Sequence, residues 1–269
     1  MKYLPSCPQL MRYIDHYWIE SQAQQLFSTD QLLYAYPGIT PELILILDGY
    51  YRCKYKGKWE TVHESRLYSF LEQEIILDTS SLSAFVIVQF KSHALAALLP
   101  FLRHKAEQIM AAPICSLTDV WGAHVLHVCK ALQQAEPQEQ VAILDDWLST
   151  LLNTAHSGFI TEIVRELGSE YTPATIQALT GYSRSTLERY FKKDTGLTPK
   201  RYQSLQRYKA AVQEIYLTKN TDWQYYVNKY GYFDQSHFIK EIKRYTTFTP
   251  SQLLRTPGIL SFRPQPTNS

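Results

Sequence analysis

The sequence predicts an α+β protein. A β-rich, sandwich- or barrel-like N-terminal domain with following helices precedes an all-α C-terminal domain, in which two helix-turn-helix units are joined by a long helix. Three observations carry this prediction. Short, β-rich apolar runs crowd the stretch before residue 91. Apolar residues at helical spacing take over after Lys91. The stretch from Ser183 to Pro250 says nearly the same thing twice, 51 residues apart. A length of 269 residues accommodates two domains with substantial cores.

The strands come first. Leu43 to Leu47, Leu67 to Leu71, Glu74 to Leu77 and Ala84 to Phe90 are compact apolar runs. Tyr51, Cys53 and Tyr55 alternate with Arg52, Lys54 and Lys56, and Gly57-Lys58 offers a turn back into Trp59. Strands with turn signals between them suggest a small sandwich or barrel. Helical patterns then run from His93 to Leu99, Leu117 to Leu132 and Gln138 to Leu152. Thr154-Ala155-His156-Ser157-Gly158 reads as a connection. The resulting division is 1–116 for the β-rich domain, 117–156 for a helical linker and dimerisation region, 157–255 for the repeat-bearing domain and 256–269 for a tail.

In the repeat, Leu187 falls on Phe238, Arg189 on Lys240, Phe191 on Ile242, and Thr198-Pro199 on Thr249-Pro250. Ser183 and Asp234 head the two copies, and both residue types cap helix N-termini by accepting a backbone N–H. Ahead of the caps lie Ile176, Ala178, Leu179 and Gly181 in one copy, and Trp223, Tyr226, Val227, Tyr230 and Gly231 in the other. A short helix, a glycine turn and a second helix make a helix-turn-helix, whose second helix enters the DNA major groove. Leu187, Tyr190 and Phe191 should face inward in the first copy, as should Phe238, Ile242 and Tyr245 in the second. Between the copies, Pro199 to about Leu217 has no internal breaker, with Tyr202, Leu205, Tyr208, Val212 and Ile215 at helical spacing. Such a helix spans roughly 28 Å, against about 34 Å between successive major-groove segments on one DNA face.

Gly231-Tyr232-Phe233-Asp234-Gln235-Ser236-His237-Phe238, followed by Lys240, Lys243, Thr249 and Pro250, resembles the signature of the AraC/XylS family of bacterial transcription regulators. Ser183 to Lys192 with Gly196-Leu197-Thr198-Pro199 is similar to that family's first unit. The likeness covers roughly residues 159–254 and implies a seven-helix domain with both reading helices in consecutive major grooves. Gln177, Val227, Lys240, Ile242 and Thr247 depart from the family pattern, the last three standing where Arg, Phe and Gly are usual. The N-terminal half weakly resembles the β-rich sensor domains of the same family, chiefly from Ala84 to Leu99. The resemblance implies double-stranded DNA and RNA polymerase as partners, together with a small-molecule effector or a homodimer partner.

Charge is unevenly divided. Residues 1–156 hold 11 Lys/Arg against 16 Asp/Glu, a net of −5, and residues 157–255 hold 15 against 9, a net of +6. Arg263 brings the sum to +2. Positive charge gathered on the repeat is the footprint expected for phosphate contact. Cys7, Cys53, Cys115 and Cys129 are scattered without CxxC spacing, which favours reduced thiols in a cytoplasmic protein over a disulfide or zinc framework. No secretory signal is expected near Met1, and no run of about 20 apolar residues predicts a membrane span.

Catalysis finds little support. His124 and His127 have a metal-compatible spacing but no third ligand, His93 and His104 are isolated, and the adjacent carboxylates of Asp145 and Asp146 diverge. There is no phosphate loop and no Gly-x-Ser-x-Gly elbow. Neither a catalytic site, a metal nor a cofactor is therefore expected. Tyr34, Tyr36, Tyr50, Tyr51, Tyr55 and Trp59 can line a sensor pocket or serve as cross-strand core.

The expected activity is sequence-specific DNA binding that controls transcription. Arg184, Ser185, Glu188 and Arg189 stand at the base edges in the first unit, and Gln235, Ser236, His237, Ile239 and Lys240 in the second. Lys192, Lys193, Lys200, Arg201, Lys243 and Arg244 are expected to meet phosphates. The alternatives are a constitutive DNA-binding protein whose first half only dimerises, and an enzyme with an attached DNA-binding domain.

Overall fold

The computed structural model describes residues 1–23, 32–69, 71, 73–98, 112, 114–152, 173–195 and 197–255. The expected connection at 154–158, the start of the repeat-bearing domain at 157, His104 and the tail at 256–269 lie outside the described residues.

Among the described residues, ten strands form two antiparallel sheets. They are β1 (Lys2–Tyr3), β2 (Ile14–Glu20), β3 (Leu33–Ala35), β4 (Glu42–Gly49), β5 (Tyr51–Tyr55), β6 (Lys58–Val62), β7 (Arg66–Tyr68), β8 (Ile75–Asp78), β9 (Leu82–Phe90) and β10 (Ile114–Ser116). The larger sheet has the order β1-β2-β9-β4-β7-β10 and the smaller one β3-β8-β5-β6. Its central strands explain their own sequences. Leu43, Leu45, Val86 and Val88 point to one core, while Ile44, Phe85 and Ile87 point to another shared with Tyr51, Cys53, Ile75 and Leu77 of the smaller sheet. A strand buried on both faces needs a continuous apolar run, which is what β4 and β9 have. The hairpin β5–β6 turns at Lys56-Gly57, both at positive φ (49° and 79°), one residue earlier than Gly57-Lys58. Two left-handed residues match the strand twist, so register selects this pair.

The helices after the sheets are α1 (Ala94–Leu98), α2 (Leu117–Trp121), α3 (His124–Gln134) and α4 (Pro137–Leu151). The single helix expected over Leu117 to Leu132 is broken at Gly122, whose φ of 83° no helix accommodates. Asp145 is buried and accepts from Ser6 N–H (2.7 Å), Cys7 N–H (3.1 Å) and Tyr17 Oη–H (2.7 Å), tying α4 to the N-terminal segment. Asp146 is exposed on another side of the helix, as divergence of the pair requires. His124 Nε2 accepts Trp147 Nε1–H at 3.1 Å, so this ring serves helix packing.

Among the described residues the C-terminal region is all helical: α5 (Pro173–Thr180), α6 (Arg184–Thr195), α7 (Pro199–Thr218), α8 (Trp223–Lys229), α9 (Gln235–Thr246) and α10 (Pro250–Leu253). Its core runs without interruption into the helical side of the larger sheet, from Tyr202, Leu205 and Tyr208 to Phe90, Ala94 and Leu98. Polar contacts cross the same boundary. Tyr202 Oη–H donates to Ser92 Oγ (2.6 Å), Lys209 Nζ–H to Thr40 Oγ1 (2.9 Å) and Thr247 Oγ1–H to Glu74 Oε1 (2.7 Å). Burial pushes the Lys209 ammonium below the ordinary lysine range, against the pull of the Glu42 and Asp15 carboxylates.

A paired helix-turn-helix surface

The 51-residue repeat survives in atomic detail. Ser183 Oγ accepts Thr186 N–H at 3.3 Å, and Asp234 Oδ1 accepts His237 N–H at 2.6 Å. Thr198 and Thr249 cap the next helices on Arg201 N–H and Gln252 N–H, both at 3.3 Å. The turns before α6 and α9 use Gly181 (φ 70°) and Gly231 (φ 65°), where a side chain would have room but the left-handed backbone would be strained.

One matched pair escaped the sequence comparison. Thr195 and Thr246 are fully buried at the ends of α6 and α9. Thr195 Oγ1–H donates to Phe191 O (2.7 Å) and accepts Leu197 N–H (3.1 Å). Thr246 Oγ1–H donates to Ile242 O (2.8 Å) and accepts Phe248 N–H (3.2 Å). Each hydroxyl closes the exit turn by satisfying a helix-terminal carbonyl and a loop amide together. The identity Thr195/Thr246 at the 51-residue offset was the available signal.

Inward faces follow the expected spacing. Leu187 and Phe191 are buried on α6 with Tyr190 half-buried, and Phe238, Ile242 and Tyr245 are buried on α9. In the preceding helices Ile176, Tyr226 and Val227 are buried, with Trp223 and Tyr230 partly so. Beside Ile176, Ala178 and Leu179 are exposed.

The proposed contact residues occupy the open faces. Arg184, Ser185, Glu188, Arg189, Lys192, Lys193 and Lys200 are exposed on the first unit, as are Gln235, Ser236, His237, Lys240, Lys243 and Arg244 on the second. Arg184 Nε–H pairs with Glu188 Oε1 at 3.2 Å, and the Arg189 guanidinium lies 5.6 Å from the Tyr190 ring centroid. The first pairing is exposed, and a partner can displace it at little cost. His237 Nδ1 accepts Phe233 N–H at 3.3 Å, a geometry that leaves the proton of a neutral ring on Nε2.

Two residues are less available. Ile239 is half-buried against the core, and Arg201 is half-buried with its guanidinium 5.6 Å from the Tyr245 ring. Helical spacing places Ile239 outside and Arg201 is expected to meet phosphate, but neighbouring helices partly cover both.

Residues 176–256 match the family profile described as "Helix-turn-helix domain". The C-terminal region is an AraC-type helix-turn-helix domain. No curated protein sequence matches the chain. Among solved structures, the chain is similar to ToxT from Vibrio cholerae O395, at 12% identity over 90% of this chain and 97% of that one, with a TM-score of 0.46. It is also similar to unsaturated fatty acid bound wild-type ToxT from Vibrio cholerae strain SCE256, at 12% identity, 93% and 98% coverage and a TM-score of 0.44. The C-terminal domain of the response regulator yesN from Fusobacterium nucleatum subsp. nucleatum ATCC 25586 shares 24% identity with it over 36% of this chain and 94% of that one, with a TM-score of 0.32.

Outside the helix-turn-helix domain, no group of His, Cys, Asp or Glu among the described residues is arranged to hold a metal. No described helix is long and apolar enough to cross a membrane. Of the aromatic pocket candidates, Tyr51 is buried and shares a 2.6 Å hydrogen bond with Tyr68, while Tyr34 packs edge-on against Phe248 of the helix-turn-helix domain. Trp59 is exposed beneath Arg52. These three aromatics thus serve different surroundings.

Proposed function

We propose that this chain is a sequence-specific transcription regulator that lays α6 and α9 into neighbouring major grooves of one duplex. The observation that carries the reading is the pairing itself: two capped helices with exposed basic faces, joined by the unbroken α7. Its 20 residues span roughly 30 Å, close to the ~34 Å that separates successive grooves on one face. One chain then does the work of two half-site readers.

In this reading Arg189 grips guanine, Glu188 accepts from cytosine N4, and Gln235, Ser236, His237 and Lys240 meet base edges in the second groove. Lysine at 240 supplies a single charge where the family's arginine supplies a planar fork. Lys192, Lys193, Lys200, Lys243 and Arg244 hold phosphates. The first domain sets how the two helices are presented. Support for that coupling comes from Lys209–Thr40 and Thr247–Glu74, which tie α7 and the end of α9 to the β-rich domain.

Selection of bound sequences from a random DNA pool by the full chain tests the reading, and two related half-sites about one helical turn apart are expected. On the selected DNA, Arg189→Ala should cost about 1–3 kcal/mol and relax preference at one base pair. Lys193→Ala should weaken all sequences alike and lower the salt slope by roughly one unit. Loss of affinity without any change of preference in Arg189→Ala would remove it from the base-reading set.

A further inference from the structure

Phe233 is 91% exposed, the most exposed of the large apolar side chains among the described residues. It sits directly before the Asp234 cap of α9, at the position from which an apolar residue ordinarily packs back onto the helix. Here Tyr232 takes the packing role instead. It is buried edge-on against Phe238, with Arg207 over its ring at 4.4 Å. Phe233 is left projecting into solvent on a fixed stalk: its own N–H is held by His237 Nδ1, and the next residue caps the helix at 2.6 Å.

The repeat repeats this too. Tyr182, 51 residues earlier, directly precedes the Ser183 cap and is also exposed, at 37%, but its ring leans on Tyr190 at 5.4 Å. An aromatic therefore stands at the entry of both reading helices, and only the second is without an internal partner ring. Exposed around Phe233 are Gln235, Ser236 and His237, polar groups suited to base edges rather than to an apolar protein pocket.

Resting on the DNA-binding reading above, we propose that Phe233 is a specificity-determining residue that packs against the C5-methyl group of a thymine at the edge of the second half-site. The residues at the N-terminal end of a reading helix are those that approach base edges, and an apolar ring on a thymine methyl is a recognised form of direct readout. The methyl is also the one apolar group a base pair offers in the major groove.

The test replaces thymine by uracil, one position at a time, in DNA selected by the full chain, and measures affinity for wild type, Phe233→Ala and Arg189→Ala. Wild type should lose roughly fourfold at one thymine of the second half-site, the equivalent of one buried methyl. Phe233→Ala should bind the parent DNA about tenfold more weakly and be indifferent to uracil at that position. Its thermal unfolding should match wild type, since the ring supports nothing inside the protein. The proposal is overturned if Phe233→Ala keeps parent affinity, or if its loss is the same with and without the methyl at every position. It is equally overturned if the variant keeps its DNA affinity and loses only transcriptional output, which would assign the ring to a protein partner. Should wild type select no sequence, the DNA-binding reading falls with it. Normal behaviour of Arg189→Ala beside a neutral Phe233→Ala sinks this inference alone.

Discussion

The two helix-turn-helix units share a plan and differ in what holds them. The second is fastened to α7 by two carboxylates. Glu214 accepts from Lys229 Nζ–H (2.7 Å), Tyr225 Oη–H (2.8 Å) and Tyr230 Oη–H (2.5 Å), anchoring α8. Burial works against that charge, but the three donors together hold the Glu214 carboxyl below the usual range. Glu241 receives the Arg207 guanidinium through both oxygens (2.9–3.2 Å) and Ser204 Oγ–H at 3.1 Å, anchoring α9. The first unit has Tyr190 where the second has Glu241. It packs on α7 through Phe191 against Tyr202, and on the β-rich domain, where α6 meets α1 and Tyr202 bonds to Ser92. The second reading head is therefore clamped to the rod by carboxylates, while both heads touch the first domain, α6 through α1 and the end of α9 through Thr247–Glu74.

The largest effect expected is in the aromatic core of the second unit. Phe238→Ala removes a ring packed among Tyr226, Trp223 and Tyr232 and should cost about 3–5 kcal/mol of stability, read by denaturant unfolding. Next is the clamp. Glu241→Gln weakens a partly buried, charge-assisted contact and should cost about 1.5–3 kcal/mol. Amide exchange should rise in α9 and leave α6 protected. If α6 loosens equally, the two units are not independently braced.

The caps give a smaller contrast. Asp234→Ala should lose about 1 kcal/mol, and Ser183→Ala, with its longer 3.3 Å contact, less. Reversal of that order would show that cap geometry does not rank the units. The smallest effect concerns Thr247, held at φ 60° where the first unit has Gly196. Thr247→Ala loses the Glu74 bond and keeps the strain, while Thr247→Gly loses the bond and relieves it. Glycine should therefore be the more stable of the two variants by roughly 1 kcal/mol, measured by thermal unfolding.

Much of this architecture was legible without coordinates. Periodicity and proline bounded α7 to within a residue or two, and the caps set the starts of α6 and α9, because helix ends are set by local hydrogen-bonding groups. The unbroken apolar runs of β4 and β9 marked them as core strands. Less legible was the break at Gly122, because the apolar spacing from Leu117 to Leu132 continues across it. Helical spacing places Ile239 on the open face and Arg201 is expected to meet phosphate, yet side chains from other helices partly cover both.

By itself, then, the sequence determined the repeated unit, its caps, the rod between the copies and the basic character of one half, since each depends on residues within one or two helical turns. Only the tertiary structure decided which carboxylates brace which unit, that the two domains share one core, and that Phe233 stands free while Tyr182 does not. Those outcomes depend on pairs such as Arg207–Glu241, Ser92–Tyr202 and Glu74–Thr247, separated by 34, 110 and 173 positions. Packing brings them together, and no local spacing rule encodes it.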